Sequence, residues 1–323
     1  MNDAIDTLSR LLQLYPVRTT LDIRCHFGAP WQLPEPASAP GVVRYHMIVS
    51  GDALLEANGE RGVALQAGDI VVFPRGSAHT LHAGRGKALP RQVATGSDDL
   101  LIRVENGGAG AATDILCGQF HFDPLASAAL LPSLPATLLV RTAGRADFAG
   151  LQALMKMLQV ETEADPARPG AHAVVTQLSS ALFALLMRAW LEQQDTASTP
   201  GLFTLLASPR LQRALHCMLA EPGRAWSLDQ LAATCHLSRT TFARLFRAAA
   251  GATPGDILTR TRMAQAAQLL ADRQQTVAVV AEAVGYQSEA SFNRIFKRHF
   301  GIGPGQHRRR ARPEQIPAFS ILI

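Results

Sequence analysis

The chain has 323 residues, 47% of them hydrophobic and 18% charged. That length holds two domains of ordinary size, and the composition excludes a collagen, a coiled-coil rod and a fully disordered chain. The formal net charge of +5 hides an asymmetry: residues 201–323 hold 16 Lys and Arg against 7 Asp and Glu, whereas residues 1–200 hold 15 against 19. A basic module joined to a mildly acidic one fits a polyanion-binding domain on a regulatory domain, although a solvated basic face has the same charge.

Residues 1–18 mix Asp3, Asp6 and Arg10 with apolar residues and lack the basic start, apolar run and cleavage site of a signal peptide. No run of about 18 uncharged apolar residues occurs, so no membrane span is expected. The cysteines, Cys25, Cys117, Cys217 and Cys235, stand far apart without a CxxC pair. That spacing argues against a zinc site or disulfide framework and for a reduced, cytoplasmic protein. Residues 42–122 read as short β segments (42–49, 70–73, 100–104, 115–122) broken by Gly and Pro. The stretch 85–112, with Gly107, Gly108 and Gly110, is expected to be a mobile loop on that β unit. From Asp147 the period becomes helical, through Leu151, Leu154, Met155 and Leu158, and 172–194 reads as a longer helix. The polar segment 195–201 is the expected domain boundary.

Beyond it everything reads helical, and there is an internal repeat. Residues 227–254 overlay 276–304, matching Ser238 with Ser288, Phe242 with Phe292, Arg244 with Arg294, Phe246 with Phe296, Gly251 with Gly301 and Pro254 with Pro304. Each pair is 50 residues apart, which implies two copies of one supersecondary unit. Both copies have the parts of a helix-turn-helix. Ser227 and Ser238 are placed to cap two short helices with a turn near 235–237, and Thr276, Gly285 and Ser288 repeat the plan. In each second helix the two Phe stand at i, i+4 and face the core, with Leu245 and Ile295 continuing the stripe. The outward faces then carry Arg239, Thr240, Ala243, Arg244 and Arg247 in the first copy, and Glu289, Ala290, Asn293, Arg294 and Lys297 in the second. Arg suits guanine, Asn suits adenine, and the remaining cations suit phosphates, although Arg247 and Lys297 are equally at home as solvated charges.

These residues carry a resemblance. The segment AEAVGYQSEASFNRIFKRHFGIGP, 281–304, is similar to the second helix-turn-helix of the AraC/XylS family, through Gly285, Tyr286, Ser288, Phe292, Arg294, Phe296, Phe300, Gly301 and Pro304. The resemblance covers the last ~110 residues and implies two helix-turn-helix units joined by a long helix, here 254–270 with Ile257, Leu258 and Arg262. It implies recognition helices entering the major groove about one helical turn apart.

In the β region, GDIVVFPRGSAH (68–79) matches the second cupin motif through Gly68, Pro74, Gly76 and His79, but Ala83 stands where an Asn is expected. The first cupin motif is incomplete: His46 holds one ligand place and Ile48 stands where a second His belongs. A metal enzyme needs three or four ligands. His46 and His79, with His26 and His82 as possible recruits, fall short, so they are read as pocket residues and no metal, cofactor or catalytic residue is expected.

Cys25 lies between Arg24 and His26, cations that favour a thiolate. The stretches LSRLL from Leu8, CHFGAPWQLP from Cys25 and LCGQF from Leu116 resemble the cupin sensor halves of AraC-type regulators, including activators that respond to reactive chlorine species. That resemblance implies that Cys25 and Cys117 are an oxidation-sensitive pair, whether or not they form a disulfide. Inert packing is the reading of Cys217 and Cys235.

The expected fold class is therefore α+β. A cupin-like barrel with flanking helices (1–195, helices about 147–194) precedes an all-α double helix-turn-helix domain (202–312). The expected function is a sequence-specific transcription regulator, an activator, sensing an oxidant through Cys25 and Cys117 and not acting as an enzyme. A reversible effector bound near His46 and His79 is the alternative, and a metal-dependent cupin enzyme with a DNA-binding tail is the least favoured. The expected partners are operator DNA, RNA polymerase, the oxidant or effector and a second copy of the chain, with no membrane.

Overall fold

The computed structural model describes residues 5–94, 100–163, 168–193, 199–272 and 274–310. Parts of three expected segments, at 95–99, 194–198 and 311–312, lie outside the described residues. The described residues form two compact units, one within residues 17–193 and the other combining residues 5–16 with those of 199–310.

Helix α1 (Thr7–Leu14) begins at an Asp6 cap, whose carboxylate accepts the Ser9 N–H at 2.9 Å. Strands β1 (Val17–Gly28), β2 (Trp31–Glu35), β3 (Val42–Ser50), β4 (Asp52–Ala57), β5 (Glu60–Gln66), β6 (Asp69–Val72), β7 (His79–Ala83), β8 (Arg91–Ala94), β9 (Ile102–Asn106) and β10 (Ala112–Phe122) follow. After helix α2 (Pro124–Leu130) comes β11 (Leu138–Arg141). Seven strands form one sheet in the order β11-β6-β3-β10-β1-β9-β8, and four form the other in the order β2-β7-β4-β5.

One apolar core is shared by the two sheets. Ile23, Cys25 and Phe27 of β1, Ile48 of β3, and Ile115 and Cys117 of β10 meet Trp31, Leu33, Leu55, Leu65 and Leu81 of the smaller sheet. The period-two alternation of strands sets this: in β1 Leu21, Ile23, Cys25 and Phe27 are buried while Asp22, Arg24 and His26 are not. β1 and β2 precede the region expected to be β. Their polar alternate residues mask a half-buried strand from a reading that looks for apolar runs.

The stretch 85–112 is not the expected loop. It contains β8 and β9, and β9 runs parallel to β1. Gly108 serves close packing: the Gly28 and Gly108 backbones approach so nearly that a Cβ on either would overlap the other. The Asn106 side chain brackets Gly28, accepting its N–H at 2.8 Å and donating to its carbonyl at 2.9 Å.

Gly118 of β10 is also fixed by space. A Cβ there would overlap the Thr20 carbonyl and the Tyr45 hydroxyl, and that hydroxyl donates to Thr20 O at 2.8 Å. The outer face of the large sheet is covered by helices α3 (Ala149–Glu163) and α4 (Ala171–Gln193), with Phe183 of α4 against Phe120 and Phe122. By length and composition alone α4 could cross a membrane, but its apolar side is spent on β1 and β11.

The second unit is helical: α5 (Leu202–Ala207), α6 (Gln212–Ala220), α7 (Leu228–Thr234), α8 (Arg239–Ala250), α9 (Pro254–Ala271), α10 (Val277–Ala283), α11 (Glu289–Phe300) and α12 (Pro304–Arg310). Helix α1, expected within the N-terminal domain, packs here on α6 and α9. Leu11 is fully buried, Thr7 Oγ1 meets His216 Nδ1 at 3.1 Å, and Gln268 donates to the Gln13 and Leu14 carbonyls at 2.7 and 3.0 Å. An eight-residue amphipathic helix has too little apolar surface to stand alone and takes whichever face its length of chain reaches.

Candidate DNA interface and buried thiol site

Each helix-turn-helix is built from local chemistry. Ser227 and Gln230 form a reciprocal capping box at the start of α7. Ser238 and Ser288 accept the N–H of Thr241 and Ser291 at the starts of α8 and α11, and Thr276 caps α10. Such caps contribute about 1 kcal/mol each. Both turns end their first helix in the same way. Leu237 N–H bonds Ala232 O and His236 N–H bonds Ala233 O, mirrored by Tyr286 to Ala281 and Gly285 to Glu282. This double closure puts one residue in the left-handed region: Gly285 at φ +83° and, in the first unit, His236 at φ +53°. His236 was not foreseen, because glycine is the residue that ordinarily signals such a turn.

Gly285 has a second reason to lack a side chain, since a Cβ there would overlap the Gly223 carbonyl. Arg262 of α9 secures the contact, donating from Nε to Pro222 O at 2.7 Å and from Nη2 to Arg224 O at 2.9 Å, with its guanidinium 5.7 Å over the Tyr286 ring. The segment leading into the first helix-turn-helix is thereby tied to the turn of the second.

Phe242, Phe246, Phe292 and Phe296 are fully buried, at ring separations of 5.4 and 5.5 Å within each pair. Leu245 and Ile295 are half-buried at the edge of those stripes. Arg239, Thr240, Arg244 and Arg247 of α8 are exposed and Ala243 is half-buried. On α11, Glu289, Ala290, Arg294 and Lys297 are exposed and Asn293 is half-buried. Arg239 pairs with Asp229 at 3.4 Å, and Arg294 donates to Ser291 Oγ at 3.3 Å. With both partners two-thirds exposed, the Arg239 pair is weak and easily exchanged for a phosphate.

In the other unit, four residues distant in sequence lie in one chain of contacts. Cys117 of β10 is registered opposite His46 of β3, and its Sγ lies 3.0 Å from His46 Nδ1. His46 Nε2 lies 2.8 Å from His79 Nε2, and His79 Nδ1 lies 2.9 Å from the Ser77 carbonyl. Phe73 stacks on the His79 ring at 3.5 Å. Cys25 of β1 is registered opposite Ile115, two residues before Cys117 on the neighbouring strand, and both thiols are free and buried in one core.

Hydrogen bonding to Cys25 and burial hold the Cys117 thiol well above its usual range. Burial, with His79 and Arg44 nearby, holds His46 well below the usual histidine value, and burial brings His79 down to about 4. Both rings are neutral near neutral pH.

The expected thiolate-favouring cations at Cys25 are not there. Strand alternation turns Arg24 and His26 to the opposite face. Arg24 pairs with Asp114 and with Glu163 at 3.1 Å, and His26 is exposed. The cupin metal position is a poor fit as well. His46 spends its nitrogens on Cys117 and His79, His82 pairs with Glu56 at 3.6 Å, and among the described residues no three His, Cys, Asp or Glu converge on one point.

His79 lines a cleft of about 660 Å³ shared with Glu35 of β2, the β4–β5 hairpin (Glu56 to Arg61) and Arg91 of β8. The hairpin turns at Asn58-Gly59, both with positive φ, a pair that fits the strand twist. Neither the cleft nor Ser77 as the end of the chain was legible from sequence.

A cupin-type β unit joined to paired helix-turn-helix units defines a two-part transcription regulator. The chain matches the cupin family over residues 6–192 and a helix-turn-helix domain family over residues 231–310. It is 35% identical over 309 residues to the "RCS-specific HTH-type transcriptional activator RclR" of Escherichia coli K12, covering 95% of this chain and 99% of that protein. It is 30% identical to the "HTH-type transcriptional regulator MtrA" of Neisseria gonorrhoeae, covering 94% and 98%. The solved DNA-binding domain of AdpA, in complex with a target DNA, aligns with 32% of this chain and 92% of that one at 30% identity and a TM-score of 0.30. The chain belongs to the AraC family of DNA-binding transcription regulators and carries an N-terminal cupin domain.

Proposed function

We propose that this regulator is an activator that senses a chlorine-based oxidant through Cys25 and Cys117 and reads its operator through the outward faces of α8 and α11. The observation that carries the sensing half is that two buried free thiols from paired strands lie in one core, within two residues of each other in register. Two adjacent thiols can go to a disulfide without a third partner. The name of the E. coli relative, which marks it as RCS-specific, supports the same oxidant class. Arg239, Thr240, Ala243, Arg244 and Arg247, with Glu289, Ala290, Asn293, Arg294 and Lys297, form the reading surface, the Arg at matched positions gripping bases or phosphates. The reading assigns no catalytic residue, cofactor or metal. It places the protein in the cytoplasm as a homodimer paired through residues of 147–194, acting with RNA polymerase.

Stoichiometric hypochlorous acid on the purified protein is expected to remove the Cys25 and Cys117 thiols, counted by alkylation and mass spectrometry. In cells, Cys25→Ser and Cys117→Ser are each expected to abolish induction of the target promoter. An intact response in both variants overturns the redox reading. Arg244→Ala is expected to weaken operator binding by ~1–3 kcal/mol and to relax preference at one base. Wild-type affinity in a gel-shift titration would mean that α8 enters the groove in another register.

The cleft at His79 favours one second reading, a reversible small-molecule effector. A ligand bound only by the folded protein raises the melting temperature, so a thermal-shift screen separates the two.

A further inference from the structure

The hydrogen-bond chain from Cys117 to Ser77 has only one consistent arrangement of protons. A backbone carbonyl can only accept, so the proton between His79 and Ser77 sits on His79 Nδ1. A neutral His79 then has a bare Nε2, and His46 must donate to it from its own Nε2. That leaves His46 Nδ1 bare, and it accepts from the Cys117 thiol. Every donor in the row points from the sulfur pair toward the cleft that His79 lines.

We propose that His46 and His79 form a proton wire from the Cys25–Cys117 pair to the cleft, so that the proton released when the two thiols are oxidised leaves through His79. The wire rests on the thiol reading above and deepens it. With hypochlorous acid as oxidant, Cys117 Sγ bonds to chlorine as the Cl–O bond breaks and hydroxide departs. The Cys117 proton passes to His46 Nδ1, and the His46 Nε2 proton passes to His79 Nε2. Hydroxide takes the Cys25 proton and becomes water. Cys25 Sγ then attacks Cys117 Sγ, the S–S bond forms, and chloride leaves with the S–Cl pair. The two sulfurs have lost two electrons and chlorine has gained two. Of two thiol protons one is in water, and the other has to leave an apolar core.

His79, then carrying two N–H bonds, gives one up to solvent in the cleft, a release favoured by its low proton affinity. The wire also answers a difficulty in the site. Cys117 is held as a thiol by Cys25 and by burial, so its reaction near neutral pH calls for a proton acceptor in contact with the sulfur. The charged and titratable groups around the wire are Arg44 and Tyr45 on β3, Asp22 on β1, Glu35 on β2, Glu56, Glu60 and Arg61 on the hairpin, and Arg91 on β8. Arg44 opposes a resting imidazolium at either ring, which keeps the wire neutral until it is used.

The test is the pH dependence of thiol loss in the full chain, followed by stopped flow with hypochlorous acid from about pH 5.5 to 8.5 and corrected for the acid's own ionisation. The wild-type rate is expected to be flat, because the thiol reacts with its acceptor in place. His79→Gln and His46→Gln keep a polar group but cannot pass a proton. Each is expected to slow thiol loss at neutral pH by roughly a hundredfold. Their rates are also expected to climb about tenfold per pH unit, as thiolate becomes the reacting form. If His46→Gln does not fold, by thermal melting, His79→Gln decides alone. A wild-type rate and flat profile in His79→Gln overturns the wire while the thiol reading stands, provided that Cys25→Ser and Cys117→Ser abolish the response. A response that survives those two substitutions overturns both.

Discussion

The two units assemble function by opposite routes. In the helical unit each working part is complete within about 25 residues: a Ser or Thr cap, a left-handed turn, a Phe pair at i, i+4 and the outward face that the pair dictates. In the β unit the thiol site takes one residue from each of β1, β3, β7 and β10. No local pattern links Cys25 to Cys117 or His46 to His79. A helix writes its faces into its own period, whereas a sheet writes only which residues share a face and leaves the neighbouring strand to be chosen by the fold.

That contrast can be broken at three places, in falling order of effect. Phe292→Ala is expected to destabilise the helical unit by ~3–5 kcal/mol, because a fully buried ring leaves a cavity that close-packed helices do not refill. Chemical denaturation followed by helical circular dichroism checks it, and a loss under ~1 kcal/mol would show that the repeated stripe does not organise the unit. The second concerns the β unit and is read in acid. His46 and His79 stay neutral when folded, with His79 near 4, whereas the unfolded chain takes up protons near 6.5. Their neutral burial is therefore fully tolerated above about pH 6.5. Stability is lost as pH falls from there toward about 4, by up to ~3 kcal/mol from His79 alone. Unfolding at a series of pH values measures this, and a His79→Gln variant is expected to flatten the slope. The smallest effect returns to the helices: Ser238→Ala and Ser288→Ala are each expected to cost ~1 kcal/mol, because each removes one cap from a matched pair. Unequal losses would show that the repeat is matched in sequence but not in energy.

Much of the helical unit was legible. The caps at Ser227, Ser238, Thr276 and Ser288, the turn at Gly285 and the buried Phe pairs all stand where local chemistry puts them. The left-handed His236 escaped, since its conformation is imposed by the helix end before it and not by its residue type. The β unit was legible only in pieces. The 68–79 motif signalled β6 and the turn to His79, while β1 and β2 were hidden by polar alternation. Gly108 and Gly110 read as freedom and turned out to be contact, because what a missing Cβ permits depends on what lies opposite.

Period, caps and charge, as properties of neighbours along the chain, were enough to read a basic, repeated helix-turn-helix module behind a β-rich unit, and the 68–79 motif marked that unit as resembling a cupin. The sequence also singled out Cys25, Cys117, His46 and His79 as residues of interest, but as separate ones. Only the tertiary structure decided that Cys117, His46 and His79 stand in hydrogen-bonding reach in that order, that Cys25 shares their core, and that Arg24 faces away from Cys25. Only it decided that α1 belongs to the helical unit. Strand pairing and helix docking join residues tens to hundreds of positions apart, and the surface that wins each pairing is settled by the whole core at once.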